Sequence, residues 1–133
     1  MRILIDTNVY TAMRRGHDGV AALMKRSDAV LLSTVVAGEL MYGFRRGSRF
    51  EQNRRDLMDF VDSPWVHLLQ PSLVTADRFG MILASLKKKG RTIPTNDVWI
   101  AAHALESGAD LASFDRHFRL VDGLPWLDPT DWV

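Results

Sequence analysis

The sequence predicts an α/β fold: a three-layer α/β/α sandwich around a mainly parallel central sheet, built as a single domain over residues 1–133. Two observations carry this. Short apolar runs without polar alternation, such as Arg2-Ile3-Leu4-Ile5 and Ala29-Val30-Leu31-Leu32-Ser33, read as strands buried on both faces, as parallel strands are. Between them lie segments with apolar residues at helical spacing, opened by capping residues and closed by glycine. Strands alternating with helices bury best as a parallel sheet covered on both sides.

Each element follows from its residues. After the first strand, Asp6-Thr7-Asn8 offers cap chemistry, and Val9 to Arg15 reads as a short helix stopped by Gly16. Asp18 is expected to cap a second helix running to about Arg26, ahead of the second strand. Thr34 to Arg46 is a helix, with Val36, Leu40 and Gly43 spaced by four and three, and Gly47-Ser48-Arg49 breaks it. Arg49 to Val61 is an amphipathic helix and Val66-His67-Leu68-Leu69 a third strand. Leu73, Phe79, Ile82, Leu83 and Leu86 give a helix over Ser72 to Lys89. Pro94 and Thr95 open a helix over Asn96 to Ser107, whose Val98, Ala101, Ala102 and Leu105 form one stripe, with Gly108 as its C-cap. Leu111-Ala112-Ser113-Phe114 is a fourth strand, Asp115 to Phe118 a turn of helix, and Arg119-Leu120-Val121 is read as a last strand.

Composition narrows the function. Hydrophobic residues make up 47% and charged residues 25%, a globular balance. No apolar run approaches the roughly 20 residues of a membrane span. The apolar stretch at the N-terminus ends at once in Asp6, unlike a secretory leader, so a cytoplasmic protein is expected. There is no cysteine, which excludes disulfides, thiolate metal sites and cysteine nucleophiles. The net charge of +1 does not by itself point to nucleic acid.

The acids are lopsided, thirteen Asp against three Glu, and short carboxylates suit caps, turns and hard-metal sites. Asp6 follows the first strand, Asp115 the fourth, and Asp97 lies in the first turn of its helix. In open α/β sheets, sites gather beyond the carboxyl ends of the strands, where these three could converge. Glu39 is different, because its helix (Val35-Val36-Ala37-Gly38-Glu39-Leu40-Met41-Tyr42) is otherwise apolar. A carboxylate there needs a positive partner, either a divalent cation or an arginine. Each acid also has an ordinary structural explanation: Asp6 and Asp97 as helix-start residues, Asp115 as a turn residue, Glu39 as a partner for Arg45 or Arg46.

Four segments together resemble a known family. Leu4-Ile5-Asp6-Thr7-Asn8-Val9 is similar to the opening of the PIN-domain nucleases, in particular the VapC toxins of toxin–antitoxin pairs. Val36-Ala37-Gly38-Glu39-Leu40-Met41-Tyr42-Gly43 resembles the second motif of that family, and Pro94-Thr95-Asn96-Asp97-Val98-Trp99-Ile100-Ala101-Ala102-His103-Ala104 its third. Leu111-Ala112-Ser113-Phe114-Asp115-Arg116-His117-Phe118 resembles the fourth, with Ser113 where the family usually has Thr. The resemblance runs through nearly the whole chain, in order.

It implies a PIN-like fold and a metal-dependent endoribonuclease that leaves a 5′-phosphate and a 3′-hydroxyl. Cleavage at a hard divalent ion needs oxygen ligands, and Mg²⁺ or Mn²⁺ is the natural choice where His and Cys ligands are absent. Asp6 and Asp97 are then the primary metal ligands, Glu39 orients or deprotonates the attacking water, and Asp115 completes the shell. Asn8 and Ser113 are expected to hold these acids by hydrogen bonds. Arg45, Arg46, Arg49, Arg54 and Arg55, with Lys87, Lys88, Lys89 and Arg91, are the candidates for RNA contact. His17, His67, His103 and His117 show no ligand spacing and are read as structural or surface residues.

The resemblance further implies a cognate VapB-type antitoxin that covers the groove and brings an Arg to the carboxylates, and a homodimer. Met41, Phe44, Met58 and Phe60 give a weak hint of a partner surface. Phosphatase and receiver domains fit poorly, since Asn8 stands where a haloacid-dehalogenase-type phosphatase wants a second Asp. The remaining alternative is a catalytically silent PIN-like module that binds RNA or a partner, and it should have lost acids that are all present here.

Overall fold

In the computed structural model, which describes residues 1–132, the chain runs β1 (Arg2–Ile5), α1 (Thr7–Arg14), α2 (Asp18–Lys25), β2 (Ala29–Ser33), α3 (Thr34–Arg46) and α4 (Phe50–Val61). It continues as β3 (Val66–Leu69), α5 (Leu73–Lys88), α6 (Thr95–Ser107), β4 (Asp110–Ala112) and β5 (Trp126–Leu127), with 3₁₀ turns at Arg116–Leu120 and Pro129–Trp132. The five strands form one parallel sheet in the order β3-β2-β1-β4-β5, flanked by the six helices, as the sequence predicts.

Ile3, Leu4 and Ile5 are fully buried, so β1 shows neither face to water and sits at the centre. In register, Leu4 lies opposite Leu31 of β2 on one side and Leu111 of β4 on the other. The chain steps outward from β1 to β3, then crosses back to place β4 on the free side of β1. That reversal makes the carboxyl ends of β1 and β4 the switch point at which doubly wound sheets open a crevice.

The helices are positioned by their caps. Helices α1 and α2 have eight residues each, too short to hold alone in water, so capping and packing decide them. The Ser33 side chain accepts from Val35 N at the start of α3, and Ser72 and Thr75 form a reciprocal capping box on α5. Gly108 closes α6 in the left-handed region, at φ 72°. Where Gly19 of α2 meets the C-terminal 3₁₀ turn, a Cβ would stand 2.1 Å from the Pro129 carbonyl oxygen, so only glycine fits.

Four expectations need correction. Helix α1 starts at Thr7 rather than Val9, with Asp6 as its cap. The cap of α2 is His17, whose Nδ1 accepts from Val20 N, not Asp18. Strand β4 spans Asp110–Ala112, because the Ser113 hydroxyl turns to Asp6 and the chain leaves the sheet. Arg119-Leu120-Val121 is no strand: fully buried Phe118 anchors a 3₁₀ turn there, and the edge strand forms later, where Trp126 and Leu127 pair with Leu111 and Ala112. The suggested partner residues are also mostly core, with Phe60 buried and Met41 and Phe44 packed against it; the most exposed apolar side chains include Leu73 and Tyr42. No helix of the described residues is long and apolar enough to cross a membrane.

Candidate active site

Asp6 leaves the end of β1 and is 3% exposed. Its Oδ1 accepts from Thr7 N at 2.8 Å, and its Oδ2 accepts from the Ser113 hydroxyl at 2.6 Å. The same Ser113 Oγ accepts from Asp115 N at 3.0 Å, so one hydroxyl ties the end of β1 to the loop after β4. Asn8 fixes that loop from another side, its Oδ1 accepting from Phe114 N at 3.4 Å. Ser113 therefore holds the Asp6 carboxylate and the backbone N–H of Asp115, and Asn8 holds the backbone N–H of Phe114.

Asp97 enters from the first turn of α6, where Pro94 supplies the opening carbonyl and no side chain caps the helix. Its carboxyl is buried at the end of the helix dipole that favours negative charge. Glu39 comes across from α3, half-buried, with Oε1 accepting from the Thr7 hydroxyl at 3.0 Å. The arginines considered as its partners are engaged elsewhere: Arg45 lies 4.0 Å over the Phe50 ring and Arg46 5.1 Å over Tyr42. Donor atoms of Asp97, Asp115 and His117 lie within 4.8 Å of one another, and His117 Nε2 is 2.8 Å from Asp97 Oδ2. This donor set fits a divalent cation: carboxylate oxygens and an imidazole, converging from different elements with a surplus of acceptors over donors.

The PIN-domain family model matches residues 3–124. The chain belongs to the PIN-domain family. This PIN domain is 31% identical over 135 residues to ribonuclease VapC2 of Haemophilus influenzae, an alignment that covers 100% of this chain and 99% of the relative. Its fold matches that of VapBC-1 from nontypeable Haemophilus influenzae at a TM-score of 0.86 and 28% identity, covering 98% and 99% of the two chains. VapBC2 from Rickettsia felis, solved bound to a DNA fragment from its promoter, matches at 0.83 and 25% identity, covering 96% and 98%.

Electrostatics in this PIN domain follow from the crowding. Burial pushes the Asp6 carboxyl up to about 6; the hydrogen bonds from Ser113 and Thr7 oppose this, and the charges of Asp97 and Asp115 add to it. Asp97 is raised as well, mainly by burial and further by Glu39 and Asp115, with the His117 imidazole opposing.

Three features escape the sequence reading. His117 stands among the acids, two residues after Asp115, and a second polar residue in a strand-end turn is the signal that could have found it. Thr7 bridges α1 to Glu39. Basic surface also collects elsewhere than the two sequence runs. A cavity of about 380 Å³ is lined by Arg14, Arg15, Arg49, Asn53 and Tyr10, among others, and shares Thr11 with a recess that reaches Asn8 and Phe114. Of the predicted basic residues, Arg49 lines this cavity, while Lys89 is bound to Asp122 at 2.5 Å.

Proposed function

We propose that this PIN domain is the toxin of a type II toxin–antitoxin pair, a metal-dependent endoribonuclease using Mg²⁺ or Mn²⁺. The observation that carries the reading is the cluster of Asp97, Asp115 and His117 at the switch point, with Asp6, held by Ser113, and Glu39, held by Thr7, near enough to act on these charges. Asp6 and Asp97, both raised by burial and neighbouring acids, are poorly satisfied without a cation and well suited to one. When bound, the ion neutralises charge at the phosphate and acidifies a water. Asp97 and Asp115 would hold it, with Asp6 joining through the lone pairs its two hydrogen bonds leave free. Glu39, poised by the Thr7 hydroxyl, would orient the attacking water and take its proton. Ser113 would fix the angle between Asp6 and Asp115.

The cavity beside α1 offers Arg15 and Arg49 to the RNA backbone, with Arg14 paired to Asp56 on its wall. Relatives solved as VapBC complexes support a VapB-type antitoxin as partner. Exposed Leu73, Val74 and Met81 on α5 offer apolar surface for self-association.

The test is cleavage of a mixed RNA by the purified chain. Activity should need Mg²⁺ or Mn²⁺, stop with chelator, leave 5′-phosphate ends and fall at least about 100-fold in Asp6→Asn. Asp6→Asn with intact metal-dependent cleavage would refute this assignment, and a wild type inert with both ions would leave a binding module in its place.

A further inference from the structure

His117 is the residue of the cluster for which the proposed chemistry has no use. Asp115 sits in extended conformation immediately before the 3₁₀ turn Arg116–Leu120, and the tight turn brings the side chain two residues later back to the same side. The ring is wedged against Phe118, centroids 4.7 Å apart, and Phe118 is fully buried. The imidazole is therefore packed on one side, with the His117 side chain 31% exposed.

Its Nε2 is buried and pairs with Asp97 Oδ2 at 2.8 Å, in a contact that falls short of strict N–H···O alignment. An imidazolium–carboxylate pair formed for its own sake would align the proton with the oxygen. Two ligands aimed at a common third point are necessarily off-line with each other. Adjacent donors on a six-coordinate ion with bonds of about 2.1 Å stand about 3 Å apart, and opposite ones about 4.2 Å. The 2.8 Å contact matches the spacing of adjacent donors, and Asp115 has a carboxylate oxygen within 4.8 Å of both.

We propose that His117 is a nitrogen ligand of the metal, completing a set with Asp97 and Asp115 and biasing the site from Mg²⁺ towards Mn²⁺. This rests on the carboxylate metal site argued above. Mg²⁺ keeps oxygen and water ligands in a strict octahedron, whereas imidazole suits the borderline transition ions. The choice of ion is then set by the turn after β4 and not by the acids alone.

The test reads the ion directly. Mn²⁺ and Mg²⁺ are titrated by calorimetry into the purified full chain, its His117→Gln variant and its Asp97→Asn variant, and the Mn²⁺-loaded wild type is examined by pulsed electron paramagnetic resonance. The wild type should show nitrogen coupling to Mn²⁺. His117→Gln should lose it and bind Mn²⁺ about 10-fold more weakly or worse, with Mg²⁺ affinity changed less than about 3-fold. Nitrogen coupling in the wild type needs no variant to fold. Mn²⁺ bound with oxygen ligands only, or an unchanged ratio of Mn²⁺ to Mg²⁺ affinity in His117→Gln, overturns the role of His117 while leaving the carboxylate site standing, provided Asp97→Asn abolishes binding. A wild type that binds neither ion overturns both.

Discussion

Helix α6 carries an acid near each end, and the two ends are wired in opposite ways. Near its C-terminus Glu106 faces the unfavourable pole of the helix dipole, yet it is fully served: Ser72 Oγ donates to Oε1 at 3.1 Å and Thr75 Oγ1 to Oε2 at 2.6 Å. At the N-terminus Asp97 enjoys the favourable pole but faces Glu39, Asp115 and Asp6, with one imidazole for company. The first arrangement closes α5 onto α6, which make the most extensive helix contact in the molecule. The second leaves acceptors in excess, as the proposed cation site requires. On that proposal, what separates the structural carboxylate from the metal-binding one is the ratio of donors to acceptors around it.

The largest expected effect comes from exchanging the two ends. Asp97→Asn should lower RNA cleavage about 100- to 1,000-fold with no loss of thermal stability, while Glu106→Ala should cost about 1 kcal/mol by removing the carboxylate that accepts from Ser72 and Thr75, with cleavage per folded molecule unchanged. Melting curves and cleavage rates on both variants decide it; the reverse pattern would break the contrast.

The next effect is in the pH dependence of the metal-free protein. Asp6 titrates at about 6 in the fold against 3.8 for an ordinary aspartate. A raised value means that the fold holds this proton more tightly than the unfolded chain does. That stabilisation is full below about pH 4 and is lost as pH rises through about 6. Asp6→Asn keeps a neutral group at every pH, and the Ser113 hydroxyl can accept from the amide instead of donating to a carboxylate. Urea unfolding in chelator should therefore find the variant more stable by about 2–3 kcal/mol at pH 7, with the gap closing towards pH 4. A gap independent of pH would show that Asp6 is not strained by its neighbours.

The smallest effect is a control at the quiet end of α6. Gly108→Ala should cost about 1 kcal/mol through its positive φ of 72°, a fall of a few degrees in Tm, and leave cleavage untouched.

Much of this was legible in the residues themselves. Strands β1 and β2 announce themselves by unbroken apolar runs, and α5 and α6 by their stripes, because burial on both faces or on one face leaves a pattern. Strand β5 leaves none, since two residues after Pro125 become a strand only by pairing with β4. His17 gives no cap signal next to Asp18, because imidazole seldom takes that place. Among the site residues, Asp6, Asp97 and Asp115 stand out by lying at element ends, and Glu39 by its apolar surroundings. His117 does not, because its relation to Asp97 depends on a 3₁₀ turn folding back against the start of a different helix. Arg14 and Arg15 look like an ordinary basic helix end until α4 closes over α1 and makes a cavity of them.

The tie between Asp6, Thr7 and Ser113 has an evolutionary consequence. Asp6 caps a short helix with the same carboxylate that is proposed to serve the metal site, and an amide can keep the cap while dropping the charge. Losing function here releases strain instead of adding it, so the route to a silent protein runs downhill in free energy. In the metal-free state an Asp6→Asn chain is therefore expected to be full-length and harder to unfold than its parent, so the amount of folded protein is no measure of the proposed activity.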